Sequence, residues 1–117
     1  MRYFEISEFD SPDQPGSGVL MNEILLIILD KARELAKIPF KINSGYRTIE
    51  HNKAVGGSPT SSHLKGLAAD ISCLTNTQLT AILPALIRAG FTRIGIGRSF
   101  VHVDVDGAKP DKIWLYD

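Results

Sequence analysis

At 117 residues, 44% hydrophobic and 22% charged, the chain has the make-up of a single globular domain, residues 1–117, able to bury its own core. Thirteen Lys and Arg residues balance thirteen Asp and Glu, so the long-range positive field expected of a nucleic-acid binder is missing. No apolar run reaches membrane-spanning length, the opening residues lack the apolar core of a secretion signal, and the single Cys73 excludes an internal disulfide.

Phe4, Ile6 and Phe9 alternate with polar residues and predict a short strand or turn docked on the core, ahead of a turn-rich loop from Ser11 to Gly18. From about Gly18 to Lys37 the pattern becomes helical. Leu20, Ile24, Ile27, Ile28, Ala32, Leu35 and Ala36 recur on one side, with Glu23, Asp30, Lys31, Arg33 and Glu34 opposite. Leu25, Leu26 and Leu29 widen the apolar face past half the circumference, which predicts a central packing helix with Lys37 in its last turn and Pro39 beyond.

Pro39 to Asn43 reads as a short strand that delivers the chain to Ser44-Gly45-Tyr46-Arg47-Thr48, a turn into a short helix capped by Thr48 and stopped by Gly56-Gly57. At that junction Arg47 can offer its fork to a carboxylate. His51, one turn into the helix, reads as a structural hydrogen-bonder. Ala68 to Cys73 is an apolar strand, with Cys73 a small core residue. Thr75 and Gln78 form a capping box that opens a helix running to Arg88 and stopped by Gly90, and Pro84 is expected to kink or split it. Phe91 to Gly97 is a strand whose glycines either make a tight turn or admit a close neighbour. Lys112 to Tyr116 closes the chain as an edge strand with Trp114 in the core.

Two stretches carry the chemistry. Ser61-Ser62-His63-Leu64-Lys65-Gly66-Leu67-Ala68-Ala69-Asp70 sets an imidazole on a loop and a carboxylate on the strand that follows. In Phe100-Val101-His102-Val103-Asp104-Val105-Asp106, β-branched residues alternate with His102, Asp104 and Asp106 on one strand face. His63, Asp70 and His102 together would make a catalytic-type zinc triad with a fourth position for water. Spacing alone leaves this open, because most strand His and Asp residues simply face solvent or make hydrogen bonds. Two of only three His falling on strand-like frames is what favours a metal.

In order along the chain, Ser44-Gly45-Tyr46-Arg47, His51-Asn52, Val55-Gly56-Gly57, Ser61-Ser62-His63, Gly66-Leu67-Ala68-Ala69-Asp70-Ile71 and Phe100-Val101-His102-Val103-Asp104, followed by Trp114, resemble the zinc D-alanyl-D-alanine peptidases. The resemblance is closest to their compact murein endopeptidases, which share a fold with the amino-terminal domain of hedgehog proteins. Phe4 to Pro12 is similar to their opening segment. The implied fold is α+β, of hedgehog/DD-peptidase type, with one antiparallel sheet of about four to six strands and helices packed mainly on one face.

The resemblance also implies roles. His63, Asp70 and His102 match the zinc ligands, Arg47 the arginine that holds a substrate carboxylate or carbonyl, and Ser61 the substrate side of the Ser-x-His motif. Tyr46 and His51-Asn52 match positions that are mainly structural. Several relatives place a Glu three residues before the last His, or a His two before it. Here Ser99 and Phe100 stand there, so neither carries over. Asp104 is therefore the catalytic candidate, either as general base or as the carboxylate that orients His102, roughly 7 Å along the same strand face.

The implied activity is zinc-assisted hydrolysis of an amide bond in peptidoglycan stem peptides or cross-links, of endopeptidase or D-Ala-D-Ala carboxypeptidase type, without a covalent intermediate. One alternative is a binding module of the same fold that keeps zinc without catalysis. Another is a zinc-free hydrolase or structural protein. The implied partner is a peptidoglycan peptide, and the implied state is a monomer without nucleic acid or membrane span. Synthesis in the cytoplasm and action on the cell wall or periplasm are expected, which suits a phage-encoded endolysin or tail-associated enzyme as well as a bacterial protein exported by an unusual route.

Overall fold

The computed structural model describes residues 1–116. Its elements in chain order are helix α1 (Glu23–Ala36), strand β1 (Ile42–Ser44), helix α2 (Ile49–Ala54), strand β2 (Ala68–Ser72), helix α3 (Asn76–Ala89) and strands β3 (Arg93–Ile96), β4 (Phe100–Asp104) and β5 (Lys112–Leu115). Short 3₁₀ turns at Ile6–Phe9, Ser17–Leu20 and Ser62–Lys65 complete it.

Side-chain alternation divides the sheet into two unlike faces. Ala69, Ile71, Ile94, Val101 and Val103 point to one side and are fully buried against α1 and α3. Asp70, His102, Asp104 and Arg93 therefore share the other side, since successive strand residues face opposite ways. The two long helices pack on each other and on the apolar face through Leu25, Leu26, Leu29 and Ala32 of α1 and Ile82, Ala85 and Leu86 of α3. An α+β architecture with its main helices on one face results.

The sheet has the order β1-β2-β4-β3-β5 and is not wholly antiparallel, because β5 runs parallel to β3. The cause is occupancy. Both edges of β4 are taken, by β2 and by β3. The chain leaving β4 reverses, steps past β3 and joins that strand's outer edge, where its direction matches.

Several boundaries differ from the sequence expectation. Helix α1 starts five residues after Gly18, at Glu23, because the Asn22 side chain caps it by accepting a hydrogen bond from Leu25 N at 3.1 Å. Leu20 falls in the preceding 3₁₀ turn and is exposed, as are Ile24 and Ile27. Apolar spacing alone did not distinguish their stripe from that of Leu25, Leu29 and Ala32. Lys37 lies just past the last turn in the left-handed region, with φ 59°. The expected first strand begins at Ile42 rather than Pro39, and the opening segment is a 3₁₀ turn that buries Phe9. Pro84 neither splits nor ends α3. Buried Ile82, Ala85 and Leu86 flank it, so packing holds the helix across the missing hydrogen bond. Cys73 joins the core.

Two substitutions test this frame by denaturant unfolding. Asn22→Ala should lower stability by about 1 kcal/mol as a lost cap, and Leu29→Ala by about 2–5 kcal/mol as a core truncation.

Candidate metal centre

One cross-strand row defines the polar face. Ser44 lies opposite Asp70, Asp70 opposite His102, His102 opposite Gly95, and Gly95 beside Trp114. Opposed residues share a face, so the Asp70 carboxylate and the His102 imidazole stand side by side, with His102 Nδ1 2.8 Å from Asp70 Oδ1.

His63 arrives from the 3₁₀ turn that ends at Gly66, whose φ of 70° suits glycine. Ser61 starts this turn, its Oγ accepting from His63 N at 3.2 Å. Arg47 N donates to His63 O at 3.1 Å, and His63 Nδ1 lies 2.7 Å from Gly45 O. A carbonyl only accepts, so the proton of the neutral ring sits on Nδ1 and the lone pair is on Nε2. That Nε2 is 3.3 Å from Asp70 Oδ1.

His102 has a carboxylate on each side, Asp70 at Nδ1 and Asp104 at Nε2. Its Nε2 lies 2.8 Å from Asp104 Oδ2, and Asp104 Oδ1 accepts from Arg93 Nε at 2.7 Å and from Asp106 N at 3.1 Å. Asp104 can take the Nε2–H, while Nδ1 either donates to Asp70 or, once that proton is displaced, offers its lone pair to an ion. The ligand atoms of His63, Asp70 and His102 lie within 4.8 Å of one another. Three electron-rich atoms so close repel unless a proton or a metal cation lies among them. Ligands of a tetrahedral zinc at about 2.0–2.1 Å stand roughly 3.3 Å apart, so the donor set fits such an ion.

Until an ion displaces it, a proton on His102 Nδ1 can bridge to Asp70. Burial works to raise the Asp70 carboxyl, but hydrogen bonds and charge from His102 and His63 outweigh it and hold the group below the usual carboxylate range. Burial opposes charging of His102, yet its bonds to Asp104 and Asp70 prevail and raise its pKa. Asp104 is lowered, against its burial, by His102 and then Arg93.

Arg47 flanks the centre. Its Nη2 is 3.5 Å from Asp70 Oδ2, Nε donates to Ser44 Oγ at 3.0 Å, and Nη1 donates to Asn52 Oδ1 at 3.2 Å. Asn52 is buried and ties back to Ser58 O at 2.9 Å. A side chain at Gly57 would collide with Asn52 and crowd Arg47, which explains a glycine there. His51 lies outside the metal group and joins the Thr48 cap through its backbone N–H at 3.1 Å. Tyr46 packs against the core.

Residues 3–106 match the family described as Peptidase M15. The chain belongs to the Peptidase M15 family. A search of curated proteins returned no match.

M15 peptidases are zinc-dependent metallopeptidases, and the His63, Asp70 and His102 group could hold such a metal. The matched span of this M15 peptidase contains all six residues singled out from the sequence and stops before β5. Arg47, Ser61, His63, Asp70, His102 and Asp104 all line one cavity of about 370 Å³.

Trp114 corrects the sequence reading. It is half-buried on the site face instead of in the core, with its ring 5.6 Å from that of His102. Gly95 makes room for it, since a Cβ there would stand 2.5 Å from the Tyr116 ring and 2.7 Å from that of Trp114. Phe100 and Tyr116, rings 5.0 Å apart, extend this into an aromatic wall of the M15 cavity. As a large aromatic on an edge strand, Trp114 reads as core. The signal that could have placed it outward was its spacing from Tyr116, two residues on, together with Gly95.

The roles of Arg93 and Asp106 escaped sequence reading, and Asp106 lies past the end of β4 at Asp104. Asp106 is buried and accepts from Ser62 Oγ at 2.7 Å, from Lys65 Nζ at 3.0 Å and from Ala108 N at 3.1 Å. It fastens the turn that carries His63. Burial opposes its charge, but Ser62 and Lys65 prevail and pull it down to about 2. A folded pKa below the unfolded value of about 3.9 means that Asp106 stabilises the fold fully above that value. This contribution is lost as pH falls through about 2. Asp106→Asn should therefore lower the unfolding midpoint at neutral pH and flatten the acid limb of a stability profile measured between about pH 5 and pH 2. A wild-type profile retained in the variant would contradict the assignment.

Proposed function

We propose that the chain hydrolyses an amide bond in peptidoglycan stem peptides or cross-links, as an endopeptidase or a D-Ala-D-Ala carboxypeptidase. The observation that carries this reading is a rigid guanidinium, Arg47, beside the metal ligand Asp70 in the same cavity. Stem peptides are anionic, and a fork held by Ser44 and Asn52 is preorganised to grip a carboxylate or carbonyl next to the reacting centre. Two of the five guanidinium N–H groups are used by those partners, so donors remain for substrate.

Bound zinc supplies a Lewis acid and an activated water for amide hydrolysis. His63, Asp70 and His102 would hold it. Asp104 fixes the His102 ring, a role favoured over general base because its two oxygens are engaged by His102, Arg93 and Asp106 N. Ser61, whose oxygen already accepts from His63 N, keeps its own O–H to donate to substrate. The aromatic wall of Trp114, Tyr116 and Phe100 offers the peptide an apolar side. Every group named belongs to one copy of the chain, so a monomer suffices. Action on the cell wall or periplasm follows from the substrate, and a phage lysis or tail-associated enzyme or a bacterial protein would each suit it.

The engagement of Asp104 also favours a second reading, a zinc-retaining module that binds peptidoglycan without cutting it. Mass spectrometry of muropeptides after incubation with zinc-loaded protein separates the two. Fragments cleaved at a D-Ala bond or another stem-peptide amide are expected, whereas bound zinc with no fragments selects the binding module. His63→Ala should abolish stoichiometric zinc and fragment release together. Arg47→Ala should keep zinc while lowering kcat/KM roughly 10–100-fold, the scale of a hydrogen bond to a charged group.

A further inference from the structure

We propose that Arg93 is a positioning residue of the metal centre, holding Asp104 so that His102 presents Nδ1 to the ion; this rests on the zinc-peptidase reading above. Arg93 stands one step beyond the Ile94–Val103 pair, which places it opposite Asp104 on the site face. Its side chain is 11% exposed and that of Asp104 is 1% exposed. A carboxylate so deeply buried demands a fixed counter-charge. Arg93 is the only Lys or Arg in ion-pair contact with it among the described residues.

The guanidinium is held from three directions. Its Nε donates to Asp104 Oδ1 at 2.7 Å. Its Nη1 donates to Pro110 O. Its face lies against the Trp114 ring at 5.0 Å. A planar fork can satisfy all three contacts at once, and a lysine ammonium cannot. A continuous line of contacts thus runs from Pro110 O through Arg93 and Asp104 to His102 Nε2, with His102 Nδ1 at its far end facing Asp70. Arg93 touches none of the reacting atoms in this line. It acts by fixing which Asp104 oxygen meets His102 and at what angle.

Zinc affinity, measured by competition with a chromophoric chelator, tests the proposal in wild type, R93A, R93K, D104N and the double variant R93A/D104N. R2A, which removes a surface ion pair to Glu34, serves as the control. R93A and D104N should each weaken zinc binding by about 10–100-fold, as removal of a ligand's hydrogen-bonding partner does. R93K should recover part of the loss, and R2A should stay within about twofold of wild type. If Arg93 works through Asp104, the double variant binds no worse than D104N alone. In the zinc-loaded protein the ¹⁵N shift of His102 Nε2 should move in R93A and stay in place in R2A.

R93A with wild-type affinity overturns the proposal, as do multiplying losses in the double variant. Unchanged zinc affinity with a raised KM would make Arg93 a substrate anchor and overturn it as well. Should R93A not fold, R93K decides, because wild-type affinity there refutes the need for the fork and a several-fold loss shared with D104N supports it. A wild-type protein that takes up no zinc defeats the peptidase reading itself, whereas zinc uptake unaffected by R93A defeats this proposal alone.

Discussion

The antiparallel pairing of Asp70 with His102 is the constraint on which the rest of the molecule depends. Strand side chains alternate with period two, so a slip of one residue between β2 and β4 would set residues from the core row against residues from the site row. Ala69, Ile71, Val101 and Val103 prevent this, because they are fully buried under α1 and α3 in the true register. The hydrophobic core thereby aims the polar site. Everything else that reaches the centre is added to this pair, with His63 on a capped turn from one side and Arg93 from the next strand on the other.

The polar face holds buried charge. Asp70, Asp104 and Asp106 sit close together, each matched by cations or donors from a different part of the chain. Such pairs are weak contributors to net stability, since desolvation offsets much of their attraction. Their value lies in orientation. Gly45 O and Asp104 each take one ring N–H, which keeps the other nitrogen of each His on the Asp70 side, able to bind an ion once it carries no proton. An ion among these groups relieves their mutual repulsion, so its binding energy adds to folding stability in the same event.

Much of the site was legible because its residues lie on elements with strong local patterns. β2 shows itself as an apolar run, β4 by alternation, and the turn carrying His63 by Ser61 and Gly66. α3 shows its capping box at Thr75 and Gln78, which the structure contains. What escaped was whatever requires knowledge of spatial neighbours. Arg93 pairs with Asp104 only once β3 is known to lie beside β4. Asp106 finds Lys65 and Ser62 across more than forty positions. Trp114 reads as core until β5 is seen to sit parallel on the sheet edge beside Gly95. The start of α1 was misplaced because Val19 and Leu20 continue an apolar pattern while lying exposed in a separate turn.

The most direct measurement of the central claim is X-ray absorption at the zinc edge on the metal-loaded protein. This account predicts nitrogen and oxygen neighbours at about 2.0–2.1 Å, with the multiple-scattering signature of two imidazoles and low coordination number. A sulfur neighbour at about 2.3 Å, which would bring in Cys73, or a fully hydrated ion showing no imidazole, would contradict it.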